Sequence, residues 1–341
     1  MSEAVVTGEA PTCTQEWNSV LRPYSTPQAG RSLAQLLITL GLLFAGFAGM
    51  LVLEGFVSYW AALALAVPTG LFLVRIFIIQ HDCGHYSFFR QRWACDWVGR
   101  ALGVLTLTPY HWWKRDHDWH HASSGDLSRR GFGDIDTLTV REYKALSASK
   151  RFLYRLYRHP LVLFGFGPAY QFLVRHRLPI GLRKGDTKTV LSILVTNLAV
   201  AALLVVGGLT MGFGRFSALW LPVLVVAATA GVWMFFVQHQ FERTYWADAK
   251  EWDFTEAALK GCSYYKLPGL LEWLTGYIGY HHIHHLASRI PNYRLRDCFR
   301  DIAALRSVTE INIRESLRCA RLSLWDEDSH RLLSFREALA A

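Results

Sequence analysis

Four stretches of this 341-residue chain run for twenty or more residues with almost no charge. They are 32–53, 56–79, 189–214 and 216–241, and Arg75 is the only charged residue in them. A helix needs roughly 20 apolar residues to cross the hydrocarbon core of a bilayer. In lipid every backbone polar group must find its partner inside the protein, which leaves helices and closed barrels as spanning structures. The runs therefore predict an all-α integral membrane protein with four spans, about 32–53, 56–79, 190–212 and 217–238, in two hairpins. A fifth apolar run, 161–174, is too short to span and holds Gly165, Gly167 and Pro168, so an interfacial or re-entrant segment is expected there.

Charge sets the expected orientation. The connector at Glu54 and Gly55 has no Lys or Arg, and the one between the last two runs has only Arg215. Nearly all other basic residues lie before the first run, between Arg90 and Lys188, or in the C-terminal third. The positive-inside rule then places both termini and the central stretch in the cytoplasm, at the plasma membrane if the source is bacterial. Arg75 is expected to snorkel to the interface from near the cytoplasmic end of span two. The acidic residues Glu3, Glu9 and Glu16 argue against a signal peptide before span one. The chain thus divides into a cytoplasmic arm (1–31), a membrane domain (32–299) and a cytoplasmic tail (300–341) with short helical patterns such as 311–324.

The net charge of +9 suits a surface facing anionic headgroups. No nucleic-acid motif accompanies it, so no nucleic-acid partner is expected. The six cysteines form no C-x-x-C pair, and reduced thiols are the default on the cytoplasmic side. Cys83 is expected to point away from its histidine neighbours. Trp93, Trp97, Trp112, Trp113 and Trp119 crowd one segment, which is expected to lie along the membrane surface.

The chemistry is carried by histidine. Of fourteen in the chain, nine read as candidate metal ligands: His81 and His85 in HDCGH, His117, His120 and His121 in HDWHH, His281, His284 and His285 in HHIHH, and His239 in FVQHQF. Residues three or four apart share a helix face, so each cluster is expected to aim its imidazoles at a common point. By the four-span topology all three clusters and His239 reach the cytoplasmic face at one depth. His282 should turn away from its cluster, and His111, His159, His176 and His330 read as structural. Asp82, Asp116, Asp118, Glu242 and Asp248 could each fix an imidazole tautomer, Asp82 foremost.

Neutral imidazole suits iron, copper, nickel and zinc, and eight or nine ligands are enough for two ions. Zinc does not exchange electrons, and in structural sites it closes its shell with four ligands. Iron with open positions can activate dioxygen, and lipid acyl chains are the nearest substrate. A metalloprotease fits poorly, because Asp82 stands where H-E-x-x-H has its Glu base. A metal carrier would need polar residues within the spans.

At these residues the chain resembles the membrane fatty acid desaturase superfamily. The likeness rests on HDCGHYSFF, PYHWWKRDHDWHH and HHIHHLASRIPNYRL and is closest to the acyl-lipid omega-6 (Δ12) type, running from about Arg75 to Asp297. The resemblance implies two iron ions held by the eight box histidines, with His239 as a further ligand. It implies a cis double bond made in a fatty acyl lipid with dioxygen and two electrons. These would come from a separate donor such as a ferredoxin, since no haem domain is fused within the chain. Similar boxes also serve hydroxylases and ketolases acting on lipids, alkanes or carotenoids, which stand as the alternative.

Overall fold

A computed structural model describes residues 11, 13–131, 133–180 and 186–340; the start of the expected N-terminal arm (1–10 and 12) lies outside these. Helix α1 (Thr14–Leu21) precedes the first hairpin, α2 (Ala29–Phe56) and α3 (Tyr59–Gly84). Helices α4 (Arg92–Leu105) and α5 (Tyr110–Ser123) follow, then strand β1 (Leu138–Thr139) and helices α6 (Val140–Ala145), α7 (Ala148–Tyr157) and α8 (Gly167–Leu173). The second hairpin is α9 (Thr187–Met211) and α10 (Phe213–His239).

Four helices, α2, α3, α9 and α10, are long and apolar enough to cross a membrane. Ser58 starts α3 by accepting a hydrogen bond from the Ala61 N–H (3.2 Å), and Asp186 does the same for α9 with Thr189 (3.1 Å). Gly212, at φ +84°, turns the chain between α9 and α10. Helix α3 is the hub. It packs on α2, α4 and α10, and 56% of its most apolar stretch is buried, against 17–28% in the other three, whose sides are largely exposed. Gly70 permits the close approach to α10, since a Cβ there would meet Val226 Cγ1 at 2.6 Å.

Helix α3 runs five residues past the expected end of span two, so the first histidine cluster is its last turn and C-cap. Polar residues can continue the helix because they are buried in protein. Arg75 departs from expectation for the same reason. It sits about 13 Å before the end of α3 and is 4% exposed. Its Nε donates to Thr39 Oγ1 (3.2 Å), Nη1 donates to the Trp273 carbonyl, and the guanidinium lies 4.4 Å over the Trp273 ring. Partners inside the bundle satisfy the charge, so the side chain does not snorkel.

The run 161–174 forms a π-helical turn (Val162–Phe166) followed by α8, packed on α10. With exposed Phe152, Leu153, Leu161, Phe166 and Tyr170, it makes an apolar plate that does not span. Trp93 and Trp97 are 68% and 65% exposed on α4, as expected of interfacial residues, whereas Trp112 is buried.

Beyond α10 come α11 (Phe254–Lys260), β2 (Tyr264–Lys266), α12 (Gly269–Leu274), α13 (His281–Leu286) and α14 (Asn292–Asp301). The tail contributes β3 (Glu310–Asn312), α15 (Ile313–Cys319), β4 (Leu322–Asp326), β5 (Arg331–Ser334) and α16 (Phe335–Ala340). The chain is mostly helical, as expected, with two small sheets added. Strand β2 pairs in parallel with β3, and β4 lies between parallel β1 and antiparallel β5. The expected helical pattern over 311–324 is thus helical only in α15. Ile311 is placed opposite Tyr265, and buried Leu324 opposite Leu333. Trp17, Val20 and Leu21 of α1 pack into one core with Ile283, Leu286, Ile290 and Leu295, bracing α13.

Candidate metal centre

The nine candidate histidines converge from four helices into two adjoining groups. His81, His85, His117, His121 and His284 form one, and His120, His239, His281 and His285 the other; within each, the ligand nitrogens all lie within 4.8 Å of one another. Adjacent histidines separate. The i,i+4 pair His117 and His121 joins the first group while His120 joins the second; His281 and His285 join the second while His284 joins the first. Each H-x-x-H-H run therefore serves two neighbouring points, not the single one expected from face-sharing alone. The groups touch through His121 and His285, whose rings stack at 4.1 Å between centroids.

His239 Nε2 lies 3.2 Å from His120 Nε2 and 2.9 Å from His281 Nε2. His121 Nε2 lies 3.1 Å from His117 Nε2 and 2.9 Å from His284 Nε2. An imidazole nitrogen has one in-plane direction for a proton or lone pair, so it cannot make two good hydrogen bonds at once. Imidazoles bound to one ion at about 2.0–2.1 Å have neighbouring nitrogens roughly 3 Å apart. The donor set fits metal binding better than a hydrogen-bonded network. Burial pushes His117, His121, His281, His284 and His285 well below the ordinary imidazole range, and the surrounding imidazoles reinforce it. Neutral rings keep the lone pairs a metal needs.

Groups behind the ligands fix their aim. His120 Nδ1 donates to Asp134 Oδ1, which turns its Nε2 lone pair toward His239. Sequence reasoning missed Asp134, which follows the second cluster by thirteen residues. The local signal is Gly131-Phe132-Gly133 just before it: Gly133 has φ +71°, and a Cβ there would press on the Asp116 carbonyl at 2.9 Å. Cys262 was also missed; its buried thiol lies 3.7 Å from His239 Nδ1, and burial pushes its pKa well above the usual thiol range. Asp82 takes the expected place, with Oδ1 3.4 Å from His81 Nδ1 and Oδ2 accepting the Asn292 N–H at 2.7 Å, which ties the first cluster to α14. Asp116 instead pairs with Arg115, Asp118 with Lys114 and Glu242 with Arg331, while Asp248 is exposed. Surface cations claim those three acids.

Trp113 stacks on His117 (4.6 Å, 16°) and covers Gly84, where a Cβ would meet it at 3.0 Å, so it belongs to the centre and not to the interfacial belt. Cys83 joins neither group. His282 points away, fully buried, with Nε2 donating to the Leu305 carbonyl (3.1 Å). His176 is buried elsewhere, and His159 and His330 are exposed.

A family model described as fatty acid desaturase matches residues 58–307, a span that includes all nine histidines. The chain belongs to the fatty acid desaturase family. It is therefore an oxidoreductase of lipid metabolism. A fatty acid desaturase of Bacillus subtilis (strain 168) is 43% identical over 314 residues, covering 92% of this chain and 88% of the relative. An sn-1 oleoyl-lipid 12-desaturase of Synechocystis is 31% identical over 79% of this chain and 75% of its own length. An sn-1 acyl-lipid omega-3 desaturase (ferredoxin) from the same organism is 28% identical over 85% and 80%. In this desaturase the two spanning helices α3 and α10 end in His81, His85 and His239, so the histidine centre adjoins one end of the apolar bundle.

Proposed function

We propose that the chain forms a cis double bond in a fatty acyl lipid, using dioxygen and two electrons at a pair of irons. His81, His85, His117, His121 and His284 would hold one iron, and His120, His239, His281 and His285 the other. The observation that carries this reading is the division of nine imidazoles into two touching groups beside one end of the apolar bundle. Iron held there would supply oxygen activation strong enough for an unactivated C–H bond. The protein's share is positioning. Asp134 keeps a proton on His120 Nδ1, Asp82 backs His81, and Trp113 restrains the His117 ring. Burial of the centre keeps bulk water from the reaction.

The basic residues around 90–188 and in the C-terminal third support a cytoplasmic centre with both termini on that side. A separate one-electron carrier is the matching donor, and two relatives are named for ferredoxin. The test is lipid analysis by mass spectrometry in a host expressing the chain. A loss of two hydrogens from an acyl chain is expected; a gain of one oxygen would assign a hydroxylase instead.

A further inference from the structure

Beside the third histidine cluster a cleft of about 570 Å³ opens, lined by Arg31, Arg296, Arg300 and Arg306, with Asp297 as its acid. Asp297 lies 3.8 Å from Arg31, and Arg300 is taken by Asp301 at 2.9 Å. Arg306 donates only to the backbone carbonyls of Phe299 and Arg300, and Arg296 has no hydrogen bond or ion pair among the described residues. Two guanidiniums thus face the cleft without an acid partner. Arg31 lies in the first turn of spanning helix α2, which sets the cleft at headgroup level.

The rest of the lining is aromatic: Tyr277, Tyr280, Tyr293 and Phe299. Tyr280 precedes His281 and stacks on Tyr264 at 4.6 Å, with its hydroxyl 3.2 Å from the buried Glu272 carboxylate. Tyr277 holds a left-handed backbone (φ +59°), a costly conformation for a non-glycine residue and one that collects at ligand sites. The lining therefore includes both Arg31, at the start of a spanning helix, and Tyr280, the residue before the third cluster.

We propose that this cleft binds the phosphate of an acyl-bearing molecule, with Arg296 and Arg306 as the guanidiniums that clamp it, and that the source is a membrane glycerophospholipid. Guanidinium pairs with phosphate oxygens in a bidentate geometry that a hydroxylated sugar headgroup cannot match. That the bound lipid is also the substrate rests on the desaturase reading above; the binding itself does not.

The purified full chain in detergent, titrated with phosphatidylglycerol and with a glucosyl-diacylglycerol of the same acyl chains, tests this by native mass spectrometry. Phosphatidylglycerol should bind about ten-fold more tightly, a difference of about 1.4 kcal/mol. The Arg296→Gln/Arg306→Gln double variant should lose that margin, and the Arg296→Lys/Arg306→Lys variant should regain part of it, with iron content and thermal midpoint unchanged. Equal binding of the two lipids, or a margin that survives in the Gln variant, overturns the site. Displacement of phosphatidylglycerol by an equal concentration of acyl-coenzyme A overturns the phospholipid source. A phospholipid margin abolished by the variants, in a protein that makes no double bond, would leave the site standing and sink only the catalytic reading.

Discussion

Successive residues on a helix are rotated by about 100°, and that rotation sends His120 and His121 to different groups. Spacing therefore singled out eight of the candidate histidines, and depth at the end of a span the ninth, His239, but not their partition, which depends on how α5 and α13 face each other. Asp134 was illegible for a related reason: only the fold brings it under His120. Replacing it with Asn keeps the shape but removes the charge that holds the Nδ1 proton, and such second-layer changes typically cost 10–100-fold in metal affinity or activity. Asp134→Asn should lose iron and turnover together by roughly that factor, measured by metal analysis and product formation. Unchanged iron binding would count against the role given to Asp134.

His176 offers a separate test away from the centre. Its Nδ1 donates to the Leu107 carbonyl (3.2 Å), and burial pushes its pKa down to about 3 from 6.5. The unfolded chain takes up this proton below about pH 6.5 while the folded chain refuses it. His176 thus contributes stability above its unfolded pKa that is lost as pH falls toward the folded value, at up to about 1.36 kcal/mol per pH unit. Between pH 6.5 and 5 the thermal midpoint of the native chain should fall more steeply than that of His176→Gln. Parallel slopes would show that the ring is not buried neutral.

Among elements, the four spans were plain in the sequence because lipid demands uninterrupted apolar length. Their ends were not. Helix α3 continues to Gly84 because protein, not lipid, surrounds its last turns. The tail strands were hidden because Ile311 and Leu324 are fixed by partners 46 residues earlier and 9 residues later, and a local periodicity carries no trace of such pairing. At the contact of α3 with α10, Gly70→Ala pushes a methyl into Val226 and should destabilise by about 1–3 kcal/mol. Adding Val226→Ala should restore most of it, read as the thermal midpoint in detergent. A single variant as stable as the parent would contradict the close approach.

At the scale of the whole molecule, the centre is assembled from both hairpins and from the cap. The first hairpin brings His81 and His85, the second His239, and α5 and α13 the remaining six, while α1 and the sheets brace the cap. The sequence patterns pointed to the same convergence through topology, since clusters separated by an even number of crossings must meet on one side. The central claim is that these imidazoles hold two neighbouring irons. Iron analysis of the purified chain, with His120→Ala and His284→Ala alongside, measures it directly. About two irons per native chain are expected, with each variant still inserted in the membrane but losing mainly the iron of its own group. A single iron, bound zinc, or variants that keep the full complement would contradict it.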